Sequence, residues 1–224
     1  MQIRWNAEQV VSELPFNTNV FAAIVGCQIG PVDLEFLCSR LWNVEMERSD
    51  NGRATSLLIR FPPLQTDQII HCGVVCRIYP SGMCTLIVGG DELVFGESLM
   101  KFALGYLSRA YRGIERLEFV PSTVQLINLM AVLRLKKSEF AFPGIEAAHR
   151  RLQAVEPGDE IIAEIIRKKA AELHIRFTFV KLSRCVVELS IFKSGIVKVM
   201  RCNSFASLEE SKRLLLQHIF HSGY

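Results

Sequence analysis

The chain has 224 residues, half of them apolar, enough to bury a sizeable core as one or two domains. With 26 basic against 23 acidic residues it lacks the strongly basic balance of many nucleic-acid-binding domains, although a local stripe can be basic when the average is not. No apolar run approaches a membrane span, and Met1-Gln2-Ile3-Arg4-Trp5 lacks a secretory apolar segment. The seven cysteines, an odd number within or beside apolar runs, point to buried thiols in a reducing, intracellular compartment.

Residues 1–16 read as a short extension, with a helical stretch from Ala7 to Leu14 stopped by Pro15. Asn19 to Cys27 is a strand, broken by Gly30-Pro31. Asp33 can cap a helix in which Leu34, Leu37, Cys38 and Leu41 form one apolar stripe. Val44–Glu47 and Ala54–Phe61 are strands joined by the turn residues Ser49 to Gly52, and a loop opens at Pro62-Pro63. Gly73–Tyr79 and Met83–Val88 form a hairpin, and a helix follows Ser98-Leu99, with Lys101, Arg109 and Arg112 on its outer side. The second half begins with the strand Thr123–Leu135 and a helix from Ile145 to Val155. Glu160–Ile166 is a candidate strand, and the charged, helix-forming stretch Arg167 to Glu172 interrupts. Ile175–Leu182, Val186–Phe192 and Ile196–Met200 are strands, and Ser207–Phe220 is the closing helix.

The two halves repeat. Ile78-Tyr79-Pro80-Ser81-Gly82 and Ile191-Phe192-Lys193-Ser194-Gly195 each separate two β-branched runs, and Ser-Gly there reads as a tight hairpin because Gly accepts positive φ. The Ser-Leu pairs and the asparagines Asn19 and Asn128 recur at one common separation, the turns at a slightly longer one. Each half is strand, helix, four strands, helix, an α+β arrangement. Side by side, two such repeats predict one curved antiparallel sheet, helices outside and a concave face open. The division is 1–16 extension, 17–115 first repeat, 116–224 second repeat.

On these landmarks the chain resembles the TATA-box-binding protein family over roughly residues 17–222. The resemblance implies a pseudo-symmetric saddle with helices on its convex side, whose concave sheet lies on the DNA minor groove and bends it with aromatic wedges. Carried over, Tyr79 and Phe192 are wedges, and Asn19 and Asn128 donate to minor-groove acceptors. Arg60 and Lys181 meet phosphates, and the hairpin serines Ser81 and Ser194 complete the DNA-facing set. The other two wedge positions hold Ala54 and His174 or Ile175, which implies reduced bending. Period two turns Arg77, Glu188 and Ser190 to the same face, and Thr85, Ile87, Lys198 and Met200 map to its other positions. The implied protein is a nuclear transcription initiation factor whose convex side and end loops receive general transcription factors. The alternative is a saddle-shaped interaction scaffold without specific DNA binding.

No enzymatic constellation is visible, and no cofactor, metal or small-molecule substrate is expected. Cys72, Cys76 and Cys84 beside His71 lack short-knuckle zinc spacing, so they read as structural thiols. Gly89-Gly90 alone is a turn.

Overall fold

The computed structural model describes residues 14–66, 69–71, 74–90, 93–110, 124–136, 140–155, 161–180 and 185–222. In chain order the elements are β1 (Phe16–Gln28), α1 (Leu34–Arg40), β2 (Val44–Arg48), β3 (Ala54–Arg60), β4 (Leu64–Thr66), β5 (Ile69–His71), β6 (Val75–Ile78), β7 (Met83–Gly89) and α2 (Gly96–Ala110), the last entered through a 3-10 turn. There follow β8 (Gln125–Leu135), β9 (Phe140–Ala141), α3 (Ile145–Gln153), β10 (Ile161–Lys169), β11 (Glu172–Phe179), β12 (Cys185–Phe192), β13 (Val197–Arg201), α4 (Phe205–His218) and β14 (His221–Ser222). The protein is mixed α+β, and its consecutive main strands pair antiparallel.

The described residues divide into two compact units, one within Ala23–Leu126, the other from Ile127 onward together with residues 14–22. In the first unit the strand order is β1-β7-β6-β3-β2; in the second it is β10-β11-β12-β13-β8-β1, so β1 contributes to both. Leaving aside the short pairs β4–β5 and β9–β14, both units run strand, helix, four strands, helix.

One face of each sheet is buried because strand side chains alternate. In the first unit Leu57, Ile59, Cys76, Ile78, Cys84, Leu86, Val25 and Cys27 are at most 3% exposed. Helices α1 and α2 touch each other, α1 packs on β2 and β3, and α2 packs on β7. Cys84 Sγ lies 3.9 Å from Met100 Sδ of α2, which marks this as the helix-covered face. Cys76 and Cys84 sulfurs are 3.4 Å apart, and hydrogen bonding to Cys84, then burial, pushes the Cys27 thiol well up. These are packed structural thiols. Among the described residues no group of three possible ligands could hold a metal ion; Cys72 lies outside them. In the second unit Leu173, Ile175, Phe177, Phe179, Val187, Leu189, Ile191, Val197 and Val199 form the buried face, and α3 and α4 touch each other over it.

Local chemistry fixes the boundaries. Asp33 caps α1, accepting from Phe36 N–H at 3.1 Å. The closing helix starts earlier than expected, because the Ser204 hydroxyl accepts from Ser207 N–H at 3.1 Å and takes the cap. The charged stretch after Ile166 does not interrupt: β10 runs through Arg167, Lys168 and Lys169, turns at Ala170–Ala171, and β11 begins at Glu172. Pairing with β11 and charge partners outweigh helix propensity here. The loop after Pro63 contains the short hairpin β4–β5, in which Leu64 pairs with His71.

Candidate functional site

The two Ser-Gly hairpins have the same geometry. Tyr79 N–H donates to Met83 C=O at 3.0 Å and Gly82 N–H to Tyr79 C=O at 2.9 Å; Phe192 N–H donates to Ile196 C=O at 2.9 Å and Gly195 N–H to Phe192 C=O at 2.8 Å. Gly82 has φ 83° and Gly195 φ 78°. This is the three-residue loop with a glycine bulge, and only a residue without Cβ adopts it freely. Each tip is anchored to its own unit. Ile29 N–H donates to Gly82 C=O at 2.8 Å, and Lys193 N–H donates to Ala171 C=O at 2.9 Å. The result sets Tyr79 just after β6 and Phe192 at the last residue of β12, both half-buried and both opening a hairpin loop.

The face of each sheet turned away from the helices is polar and only partly covered. In the first unit it carries Glu45, Glu47, Ser56, Leu58, Arg60, Arg77, Thr85 and Ile87. Register places Glu45 opposite Leu58, Leu58 opposite Arg77 and Arg77 opposite Thr85. Arg77 pairs with Glu47 at 2.8 Å, and the Ser56 hydroxyl donates to the same carboxylate. Arg60 is exposed and pairs with Glu45 at 3.3 Å.

The second unit builds a longer network on the corresponding face. One cross-strand row reads Glu164, Arg176, Glu188, Arg201 over β10 to β13. Arg176 reaches Glu164 at 3.0 Å and Glu188 at 2.9 Å, and Arg201 reaches Glu188 at 3.3 Å. His174 Nε2 stands 3.8 Å from the other Glu188 oxygen. Burial pushes the Glu188 carboxyl up. The Arg176 hydrogen bond and the charges of Arg201, Arg176 and His174 outweigh it, holding the group below the usual carboxylate range. In the next row Ser190 donates to Glu172 at 2.8 Å, and Glu172 also pairs with Arg167 at 3.3 Å. Lys198 extends over the Phe21 ring, 5.9 Å from its centroid.

The expected site residues part company here. Asn19 is exposed on β1. Asn128 is half-buried and tied to backbone: its Nδ2 donates to Met200 C=O at 3.2 Å and its Oδ1 accepts from Cys202 N–H at 3.1 Å. The β8–β13 register ends at Val199, so the Asn128 amide satisfies main-chain groups where the ladder stops. The two asparagines therefore differ in their surroundings. Ser81 is a turn residue whose hydroxyl accepts from Met83 N–H at 3.4 Å and whose carbonyl accepts from Gln28 Nε2 at 2.6 Å. Ser194 is exposed at the other tip. Of the remaining wedge positions, Ile175 is buried in the core and His174 lies on the open face. Lys181 and Arg112 lie outside the described residues; Lys101 is exposed and pairs with Glu97 at 2.7 Å. The four-residue charge row was missed, although Glu172, His174, Arg176 and Thr178 alternate with Leu173, Ile175, Phe177 and Phe179. Its strand neighbours became readable only with the turn at Ala170–Ala171.

No family model matches the chain, and no curated protein does. Among solved structures it is similar to the Methanococcus jannaschii TBP, with a TM-score of 0.52 and 19% identity, over 90% of this chain and 97% of that one. At that identity the likeness establishes the fold. A heterotetrameric sarcosine oxidase from Corynebacterium sp. U-96, in complex with pyrrole 2-carboxylate, also matches at 13% identity, covering 91% of this chain and 82% of that one, with a TM-score of 0.28. So low a score carries no argument. The chain therefore has a fold resembling that of a TATA-box-binding protein.

Proposed function

We propose that the protein is a divergent transcription initiation factor of the nucleus, built as a two-repeat saddle with helices on its convex side. It engages the DNA minor groove through the open sheet face and receives transcription proteins on its convex side and end loops. The observation that carries this reading is the matched placement of Tyr79 and Phe192 before glycine-bulge hairpins of the same geometry, on a fold similar to the Methanococcus jannaschii TBP. Wedging aromatics unstack a base step at a cost of about a few kcal/mol, offset by the larger wrapped surface. With only two such side chains in place, bending is smaller than four wedges give. Arg60 and Lys181 contact phosphates, and Asn19 is the better placed of the two asparagines to donate into a groove. The role is binding, not catalysis.

The test is duplex bending by fluorescence energy transfer, comparing the natural chain with Phe192→Ala and Tyr79→Ala. Bending that falls in either variant supports the reading; no bending by the natural chain, or none lost in the variants, overturns the wedge assignment.

A second reading is favoured by the Glu164–Arg176–Glu188–Arg201 row. A face whose guanidiniums are already paired with carboxylates must break those pairs to bind phosphate, and its acids repel the negative potential of an A·T-rich groove. On this reading the open face docks a protein segment within a transcription complex. The salt dependence of duplex binding separates the two, because phosphate contacts release counterions and give a negative slope of log affinity on log salt. Negligible binding without that slope selects the scaffold.

A further inference from the structure

The second unit carries a cleft that the open-face residues leave unused. It has a volume of about 800 Å³ and is lined by Arg134, Lys136, Phe140, Phe142, Ser194 and Phe220 among others. Its wall is preformed. The Phe142 and Phe220 rings are 5.7 Å apart, Phe220 meets Phe16 edge-on at 5.5 Å, and Phe220 is 3% exposed. Gly195 lets the hairpin tip lie against this wall, since a Cβ there would sit 3.0 Å from Phe142 Cβ. Lys136 N–H is held by Pro15 C=O at 2.8 Å, which fixes the backbone at the basic side.

Arg134 and Lys136 are both exposed, and neither has an ion-pair partner among the described residues. Two unmatched cations beside a fixed apolar wall call for a ligand that is acidic around an apolar anchor. The volume lies within the usual range of binding clefts and accommodates one large side chain with its flanking backbone.

We infer that this cleft docks a peptide segment of a partner protein in which acidic residues flank a large apolar side chain. A nucleic acid fits less well, because base stacking needs open ring faces, and Phe220 is buried and packed on both sides by phenylalanine. The inference does not depend on duplex binding, and its test can fail independently of the wedge assay.

The experiment is fluorescence anisotropy of the full chain with a short labelled peptide bearing glutamates on both sides of a central Leu-Phe. Saturable binding is expected, lowered about tenfold or more in the Arg134→Glu/Lys136→Glu variant, where two favourable contacts become repulsive. Ser194→Trp, which fills the cleft, should show a similar loss. Replacing the peptide's glutamates by glutamine should weaken its binding to the natural chain to the same degree, a comparison independent of how any variant folds. Absent binding, an unaffected charge-reversed variant, or a glutamine peptide that binds equally well overturns the inference. So does a labelled single strand of DNA that displaces the peptide and shows the same variant dependence, which would assign the cleft to nucleic acid.

Discussion

The two units share a strand order and a hairpin geometry, yet their open faces differ. The first couples Arg77 to Glu47 and Arg60 to Glu45 while leaving Ile87 and Met83 exposed. The second runs a four-member charge row and stacks Lys198 on Phe21. The difference follows from what each face must satisfy. The buried face must exclude water at near-crystalline packing density, so its β-branched and aromatic residues keep their alternation. The open face has only to remain solvated, so its charges can change independently. The two units share a frame and differ in their open surfaces.

The sharpest way to break the comparison is at the hairpin glycines. A Cβ on Gly82 would lie 2.1 Å from the Ile29 carbonyl oxygen and 2.3 Å from that of Gly30, so Gly82→Ala should destabilise by about 3 kcal/mol or more. Gly195→Ala meets only the Phe142 side chain, at 3.0 Å, and should cost about 1–2 kcal/mol, mostly from the left-handed backbone. Urea denaturation of both variants measures the gap; equal losses would show that the tips are anchored alike.

The asparagines come next. Asn128→Ala removes two hydrogen bonds to half-buried backbone and should cost about 1–2 kcal/mol, against less than about 0.5 kcal/mol for Asn19→Ala at an exposed site. The same denaturation curves decide it. If Asn19→Ala is the costlier, the division between a backbone-tied and an exposed amide is wrong.

Glu188 sharpens the contrast between the open faces through pH. Its folded-state pKa lies below its ordinary 4.5, so its contribution to stability is fully present above that value and is lost as pH falls through the lowered one. Thermal midpoints of the natural chain should therefore drop as pH is lowered below about 4.5, and Glu188→Gln should reduce that slope. An unchanged slope would remove Glu188 as a contributor. His218 acts in a higher window. Burial, then the charge of Arg213, lowers its pKa from 6.5, so its contribution is complete above that value and is lost as pH falls below it.

The smallest expected effect on stability is at Arg60, whose pair with Glu45 is well exposed on both sides. Arg60→Ala should change stability by less than about 0.5 kcal/mol. If Arg60 contacts phosphate, the same change reduces the salt slope of duplex binding by about one. An unaltered slope would leave this cation to its carboxylate.

Much of the frame was legible because local rules and the core agree on it. Asp33 caps α1 where a short acidic side chain before an apolar stripe predicts it, and both Ser-Gly turns fall at the expected positions. Arg167 to Lys169 were misread, because charge and helix propensity are local signals and the pairing that makes them strand is not. The sites were harder. Asn19 and Asn128 look equivalent in sequence, but whether an amide is tied to backbone depends on where a neighbouring ladder ends, some seventy residues away at Met200 and Cys202.

The sequence by itself determined the duplicated order of elements and the face each strand buries, because side-chain alternation and turn chemistry act within a few residues. Tertiary structure alone decided which charges neutralise one another and which amide is spent on backbone. Those outcomes depend on register between strands far apart in the chain, and no local pattern carries that register.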